Sequence, residues 1–306
     1  DCPGPMAANV AHTALMLQVL AGADPRDATS SAVAPQDYLA LLQEDVRGMR
    51  IGLSKDFDQI AYPDLETGDL ATEPIQAEVS AAVYAAAEVL ARAGAEIIEN
   101  VPMPNCRYAI PAYFAISRVE AASNLHRFDG VKYGYRSPKA TGGLTQLYRA
   151  SRGEGFGPEP KLRILMGMYV SAAAHASAYL ERAKKVRGLI RADFDAIYDP
   201  NGAYRLDCLL TPTTPTTAFK RKAVFGNSVL MQYADQMVAP VNEAGLPAIS
   251  IPGGVDGQRL PIGLQLIGND YREDLILRAA YAFEQATAGA DWRKLRPLAL
   301  EALEMK

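Results

Sequence analysis

The stretch Pro74–Val101 reads PIQAEVSAAVYAAAEVLARAGAEIIENV and contains a helix followed directly by a strand. Apolar residues recur in it at helical spacing, and Gly94 is placed to end the helix. The next residues, Ala95–Val101, have the length and composition of a strand. A short alternating segment, Met49–Ser54, precedes the helix, so the order is strand, helix, strand. This order is typical of an α/β sheet covered by helices.

Later segments extend the predicted sheet. Leu206–Thr211 has the pattern of a strand, and Ala248–Ile251 with Ile262–Ile267 indicates an antiparallel hairpin. A helix over Arg272–Thr287 is expected to cover that hairpin. No repeat, low-complexity tract or linker divides the chain. We therefore predict an α/β fold with a mixed β-sheet flanked by helices, in one domain over residues 1–306.

The composition excludes several classes of protein. The chain is 49% hydrophobic and 22% charged, as in soluble globular proteins, and its formal net charge of −4 gives no overall attraction for nucleic acid or an anionic membrane. No apolar run approaches the roughly 18 residues of a membrane span. The three cysteines form no CxxC pair, which favours a reducing, cytoplasmic location.

Familiar catalytic motifs are absent from the sequence. There is no GxxxxGK[ST] phosphate loop, no HExxH zinc motif and no GxSxG nucleophile elbow. The three histidines, His12, His126 and His175, lie in no Cys/His cluster, so no metal site is predicted. Spacing alone therefore displays no active site.

A polar stripe distinguishes the helix predicted to end at Asp129-Gly130. The stripe borders the apolar side of the helix and is formed by Tyr113, Ser117, Glu120 and Asn124. Polar residues in this position either edge a pocket or pair with neighbouring backbone, and periodicity does not separate the two readings. An aromatic and cationic loop, Lys132–Arg136, follows the helix.

Two charged residues lie on helices whose periodicity places them in solvent. Arg163 falls just off the edge of a predicted buried stripe, and Asp235 lies on the polar side of a helix predicted from Asn227 or Ser228 to Met237. Helical periodicity alone therefore gives no reason to assign a ligand contact to either residue. The members of the predicted buried stripe beside Arg163 are Leu162, Leu165, Met166, Tyr169 and Ala173.

Short motifs run along nearly the whole chain. They are Glu120–Leu125, Arg127–Val131, Tyr133–Arg136, Ser151-Arg152, Glu154–Gly157, Thr211–Phe219, Pro240–Asn242, Ala244–Pro252 and Leu260–Gly268. Together they resemble the A subunits (GatA) of glutamyl-tRNA(Gln) amidotransferases, a branch of the amidase-signature enzymes. The last two motifs occur broadly in that larger family, whereas the stretch from Glu120 to Arg136 looks specific to the amidotransferase branch. The resemblance implies an amidase-signature α/β/α sandwich, incomplete at the N-terminus.

The resemblance also implies a reaction. Family members hydrolyse glutamine to glutamate and ammonia, and a partner subunit uses the ammonia and ATP to amidate Glu-tRNA(Gln), in many bacteria also Asp-tRNA(Asn). They use a Ser–cis-Ser–Lys triad, which lies upstream of the point that Asp1 matches. We therefore expect no catalytic residue in this chain, and expect the chain alone to be inactive.

The family context implies partners. The whole protein would be a cytoplasmic subunit of a heterotrimer with amidotransferase subunits B and C, without membrane contact. ATP and Mg are expected on the partner subunit, which would also make most of the contact with mischarged tRNA. No cofactor or metal is expected in this chain.

Three substrate-binding residues follow from matching the flanking motifs. Arg163 matches the arginine that binds the substrate carboxylate, Asp235 the aspartate that binds the ammonium group, and Tyr113 the pocket tyrosine. We expect the three to converge on one site for glutamine, which as a zwitterion needs a cation and an anion.

Two other functions stay open at this point. One is a stand-alone amidase of the same family, which would not need Arg163 or Asp235 for turnover. The other is a non-catalytic binding or scaffold subunit that uses the Lys132–Arg136 loop on RNA.

Overall fold

The computed structural model describes residues 3–43, 45–63, 67, 70–139, 141–220, 231 and 233–295. The chain divides into two compact units. The sheet unit comprises Asp1–Arg107 with Ile190–Lys306, and the helical unit comprises Tyr108–Leu189. The prediction of a single domain stays a prediction.

The described helices and strands follow each other along the chain. The helices are α1 Val10–Leu20, α2 Ala77–Arg92, α3 Ala109–Leu125, α4 Leu144–Gly155, α5 Pro158–Ser171, α6 Leu180–Tyr198, α7 Ala239–Ala244 and α8 Glu273–Ala286. The strands are β1 Arg50–Leu53, β2 Gln59–Pro63, β3 Leu70–Pro74, β4 Glu96–Ile98, β5 Cys208–Pro212, β6 Ala248–Val255 and β7 Pro261–Gly268. No described helix combines the length and apolar character needed to cross a membrane.

The main sheet is mixed, as predicted. Its described strands have the order β4-β1-β5-β7-β6. Strand β1 is parallel to β4 and β5, whereas β7 is antiparallel to β5 and β6. The predicted strand, helix, strand order corresponds to β1, α2 and β4, and the predicted hairpin corresponds to β6 and β7.

Helices flank this sheet, which also confirms the prediction. Alternate side chains of β5 and β7, such as Leu210 and Leu266, form one core with α2 and α8. Leu209 and Ile267 are buried outside that cluster. The buried Tyr198 hydroxyl at the end of α6 donates to the Ile267 carbonyl, 2.7 Å away. Because successive strand side chains point to opposite faces, both faces of β5 and β7 are covered.

Two local predictions were inaccurate. The helix predicted from Pro74 onward is α2, and it begins at Ala77. Pro74 instead ends a strand, because Leu70–Pro74 pairs antiparallel with Gln59–Pro63 in a two-stranded sheet. The strand predicted over Ala95–Val101 is shorter, Glu96–Ile98, since Asn100 has a positive φ of 58° that leaves the extended conformation.

In the helical unit, α3 and α5 pack closely at one glycine. A Cβ atom on Gly167 would lie 2.0 Å from the Arg118 carbonyl oxygen and 2.7 Å from the Ala122 Cβ. The backbones can therefore approach this closely only because Gly167 has no side chain.

This contact overturns the predicted buried stripe of α5. Gly167 is the buried residue of the helix. The large apolar residues Leu162, Leu165, Met166 and Tyr169 are exposed, and Ala173 lies beyond the helix end. Periodicity failed because apolar side-chain size did not mark the packed side of α5.

Candidate functional site

Helix α3 carries the first predicted site residue, Tyr113, and a buried arginine that the sequence did not reveal. Tyr113 and Ser117 of the predicted polar stripe are partly buried, whereas Glu120 and Asn124 are exposed. The buried polar residue of α3 is Arg118, with 3% of its surface exposed. A buried polar residue is therefore present on this helix, but it is next to the predicted stripe rather than in it.

Arg118 is surrounded by aromatic and polar groups of its own helix. Its guanidinium carbon lies 4.3 Å from the Phe114 ring centroid and 5.9 Å from the Tyr113 ring centroid, both within cation–π range. Its Nη1 donates to the Ser117 Oγ at 3.1 Å. Its buried Nε has no hydrogen-bond partner among the described residues. One donor of a buried cation is thus left over.

Arg163 on α5 is the second cation at this place. Burial lowers the pKa of the Arg118 guanidinium, and repulsion by the Arg163 charge lowers it further. A hydrogen bond with Tyr113 acts in the opposite direction and raises that pKa. Tyr113 and Arg163 therefore each lie close enough to Arg118 to influence its charge. Two of the three predicted substrate residues, Tyr113 and Arg163, are thus neighbours of the buried Arg118, and their role in substrate binding stays a prediction.

Arg163 already has a carboxylate partner. Its Nε donates to the Glu159 Oε1 at 3.0 Å, one helical turn away, and 37% of the arginine side chain is exposed. An exposed i,i+4 pair of this kind contributes little to stability, about 0.3–0.5 kcal/mol. Pairing with Glu159 therefore leaves part of the Arg163 side chain exposed.

Asp235, the third predicted residue, lies in the sheet unit just before α7. Residues 227–230 and 232 of the helix predicted to contain it lie outside the described residues. Its residue surface is exposed, yet partial desolvation raises the pKa of its carboxyl group. Since Tyr113 and Arg163 belong to the other unit, the convergence of all three stays a prediction.

The neighbours of Asp235 hold its backbone in place. Gln236 and Met237 are both buried. The Gln236 side-chain oxygen accepts a hydrogen bond from the Ala61 backbone N–H, at 3.0 Å. The buried Gln265 of β7 donates to both the Met237 carbonyl and the Thr211 Oγ1, each at 3.0 Å. The segment that carries Asp235 is therefore tied directly to the central strands.

The aromatic loop after α3 is anchored by the next motif of the chain. Arg152 of α4 donates to the Leu125 and Phe128 carbonyls at 3.0 Å each. The Ser151 hydroxyl accepts from the Ser137 backbone N–H, also at 3.0 Å. Gly130 has a φ of +77°, and a Cβ there would lie 2.6 Å from Ser151. The motif residues Ser151 and Arg152 thus shape the loop rather than carry chemistry.

Other candidate chemistry is not supported by the described residues. Burial raises the pKa of the Cys106 and Cys208 thiols, so neither is a reactive thiolate. The described residues contain no group of three or more His, Cys, Asp and Glu side chains that could hold a metal ion.

Comparison with known proteins defines the class of this chain. The model of the amidase family matches residues 1–277. The chain therefore belongs to the amidase family. Its described fold is shared with a bacterial aryl acylamidase of the amidase-signature family, with a TM-score of 0.66 at 22% identity over 96% of this chain and 55% of that chain.

The similarity is greater to one member of this family, the A subunit of glutamyl-tRNA(Gln) amidotransferase. The chain is 41% identical over 288 residues to this protein of Roseobacter denitrificans, covering 94% of this chain and 54% of that protein. It is 45% identical over 287 residues to the Prochlorococcus marinus protein, covering 94% and 55%. The crystal structure of the Thermotoga maritima protein matches with a TM-score of 0.66 at 30% identity, covering 92% and 52%. The chain spans about half the length of the curated relatives it matches.

Proposed function

We propose that this chain is part of the glutaminase subunit of a tRNA-dependent amidotransferase. The whole protein hydrolyses glutamine and supplies ammonia for the amidation of Glu-tRNA(Gln) or Asp-tRNA(Asn). The structural observation that carries the proposal is the buried Arg118 of α3, which lies over the Tyr113 ring and close to Arg163 of the packed helix α5. A cationic site of this kind suits an amino-acid substrate, whereas an aryl amide has no charge to bind there.

Each charged residue has a chemical role in this proposal. Arg163 binds the α-carboxylate of glutamine, Asp235 binds the ammonium group, and Tyr113 forms part of the pocket wall. Charge-assisted hydrogen bonds of this kind contribute about 1.5–3 kcal/mol each when water is excluded. The desolvation that raises the pKa of Asp235 supports its role, because a cationic ligand would favour the ionised carboxylate.

The partners of the proposed enzyme follow from its relatives. We propose assembly with amidotransferase subunits B and C in the cytoplasm, with ATP and Mg bound by the partner subunit. Tyrosine, arginine and aspartate of this chain select the substrate. In this proposal the Ser–cis-Ser–Lys triad that the family resemblance implies breaks the amide bond, and no residue of this chain is assigned to it.

Ammonia release by the full-length gene product, together with subunits B and C, tests this proposal. Arg163→Met should raise KM for glutamine by roughly 10- to 100-fold, since it removes a charge-assisted contact to the carboxylate. It should leave hydrolysis of an uncharged primary amide unchanged. Arg149→Met, which removes an exposed arginine of α4, is the matched control and should have no effect. An unchanged KM for glutamine in Arg163→Met would remove the proposed site.

A further inference from the structure

Arg118 has the features of a binding contact that lacks its acceptor. It is 3% exposed, and its buried Nε has no hydrogen-bond partner among the described residues. A guanidinium carries five N–H donors and stays charged at all physiological pH values. Burying such a group with a free donor costs free energy, which a bound acceptor would offset.

The charges around Arg118 define the acceptor. Arg118 and Arg163 bring two positive charges, and Glu159, paired with Arg163, brings one negative charge. One further negative charge would balance the group. A carboxylate carries that charge on two coplanar oxygens, which match the fork of an arginine, whereas a dianionic phosphate would leave an excess of negative charge.

The position of Arg118 is also fixed before any ligand binds. Phe114 stacks near the guanidinium, the Ser117 hydroxyl accepts from Nη1, and the close approach of Gly167 on α5 fixes the backbone of Arg118. A preorganised arginine loses less entropy on binding than a flexible surface arginine does.

We propose that Arg118 is a specificity-determining residue that binds the substrate carboxylate together with Arg163. The inference rests on the proposed function for the identity of the substrate, glutamine. Carboxylate binding itself can be measured without catalysis. The two claims can therefore fail separately.

Calorimetric titration of the chain with glutaramate provides the test. This compound is glutamine without its amino group, so it retains the carboxylate and the amide. Arg118→Met should raise the Kd for glutaramate by roughly 10- to 100-fold, the range for loss of a charge-assisted hydrogen bond. Arg127→Met is the matched control, because Arg127 is an exposed arginine just beyond the end of α3. It should leave the Kd unchanged, and pentanediamide, which lacks the carboxylate, should not distinguish the wild type from Arg118→Met.

A second readout is measured on the wild type and needs a variant only to assign one resonance. In protein labelled with 15N-arginine, the Arg118 Nε–H resonance should shift when glutaramate is added, whereas that of Arg127 should not. The resonance is assigned from its absence in Arg118→Lys. An Arg118 resonance that does not move on saturation, or an unchanged Kd in a folded Arg118→Met, overturns the inference.

Activity then separates the two claims. If glutamine is not hydrolysed by the full-length gene product but glutaramate binding still depends on Arg118, the proposed function fails and the Arg118 inference stands. If glutamine is hydrolysed and both Arg118 measurements are unchanged, the Arg118 inference fails and the proposed function stands.

Discussion

The carboxyl group of Asp235 illustrates how a proposed binding residue can reduce stability. Partial desolvation raises its pKa above the ordinary value of 3.8. The folded chain therefore holds a proton on Asp235 more tightly than the unfolded chain does. It follows that the free energy of unfolding falls as the pH rises from that ordinary value through the raised one. At neutral pH, the ionised Asp235 destabilises the folded chain.

Replacing Asp235 should separate stability from binding. Asp235→Asn removes the cost of desolvating a charge, so at pH 7 it should raise the Tm, by no more than about 2 °C because the residue is partly exposed. The variant should bind glutamine more weakly. Thermal unfolding followed by circular dichroism at pH 4 and pH 7 measures the effect, which should be smaller at pH 4. Asp291→Asn is the control, because that side chain is 98% exposed, and it should leave the Tm unchanged at both pH 4 and pH 7. A lower Tm for Asp235→Asn at pH 7 would show that the carboxylate is stabilised by contacts rather than desolvated.

Arg118 shows why residue-level prediction was incomplete. Arginine next to a polar stripe on a helix normally has a buried stem and a solvated head. Its burial depends on how closely α5 approaches, and that distance is set by a glycine far along the chain. Arg163, Tyr113 and Asp235 were chosen because the motifs that flank them align them with site residues of the resembled family, and that alignment assigned no role to Arg118.

At the scale of elements, the contact between α3 and α5 depends on Gly167. Gly167→Ala would place a Cβ 2.0 Å from the Arg118 carbonyl oxygen, and backbone cannot move aside as a side chain can. The helices would have to separate, and we expect a loss of about 1–3 kcal/mol in the free energy of unfolding, as for an overpacked core. Urea unfolding measures this loss, and glutaramate affinity should fall with it, since Arg118 would shift.

Gly153 on α4 provides the control for this prediction. A Cβ there would meet no atom of the described chain within 4 Å. Gly153→Ala should therefore stabilise the chain slightly, by about 0.5–1 kcal/mol, through the higher helix propensity of alanine. Equal effects of the two substitutions would contradict the close packing at Gly167.

The strands of the main sheet and the helix α2 that packs on it were predicted well from the sequence. Strand β1, helix α2 and the β6–β7 hairpin bury regular apolar patterns, so their periodicity reports their environment directly. Helix α5 buries a glycine and exposes leucine, methionine and tyrosine, so its pattern gave the wrong side. The β2–β3 pair was missed because neither strand alternates regularly between apolar and polar residues, and most of β3 is exposed.

At the scale of the whole molecule, the fold does not decide the function. The aryl acylamidase and the amidotransferase subunit match this chain with the same TM-score, 0.66, at different identities of 22% and 30%. The shared sheet and helices therefore fit both a charged and an uncharged amide substrate. The distinction depends on side chains, and our proposal is that Arg118 and Arg163 favour a charged substrate in this protein.

The preference of the wild-type enzyme between these substrates tests the central claim most directly. The full-length gene product, together with subunits B and C, is supplied with glutamine and, separately, with acetanilide as an aryl amide. Product release gives kcat/KM for each. We predict that glutamine is preferred by at least about 100-fold, because only glutamine can pair with the cationic site between α3 and α5. A preference for acetanilide, with glutamine left intact, would contradict it.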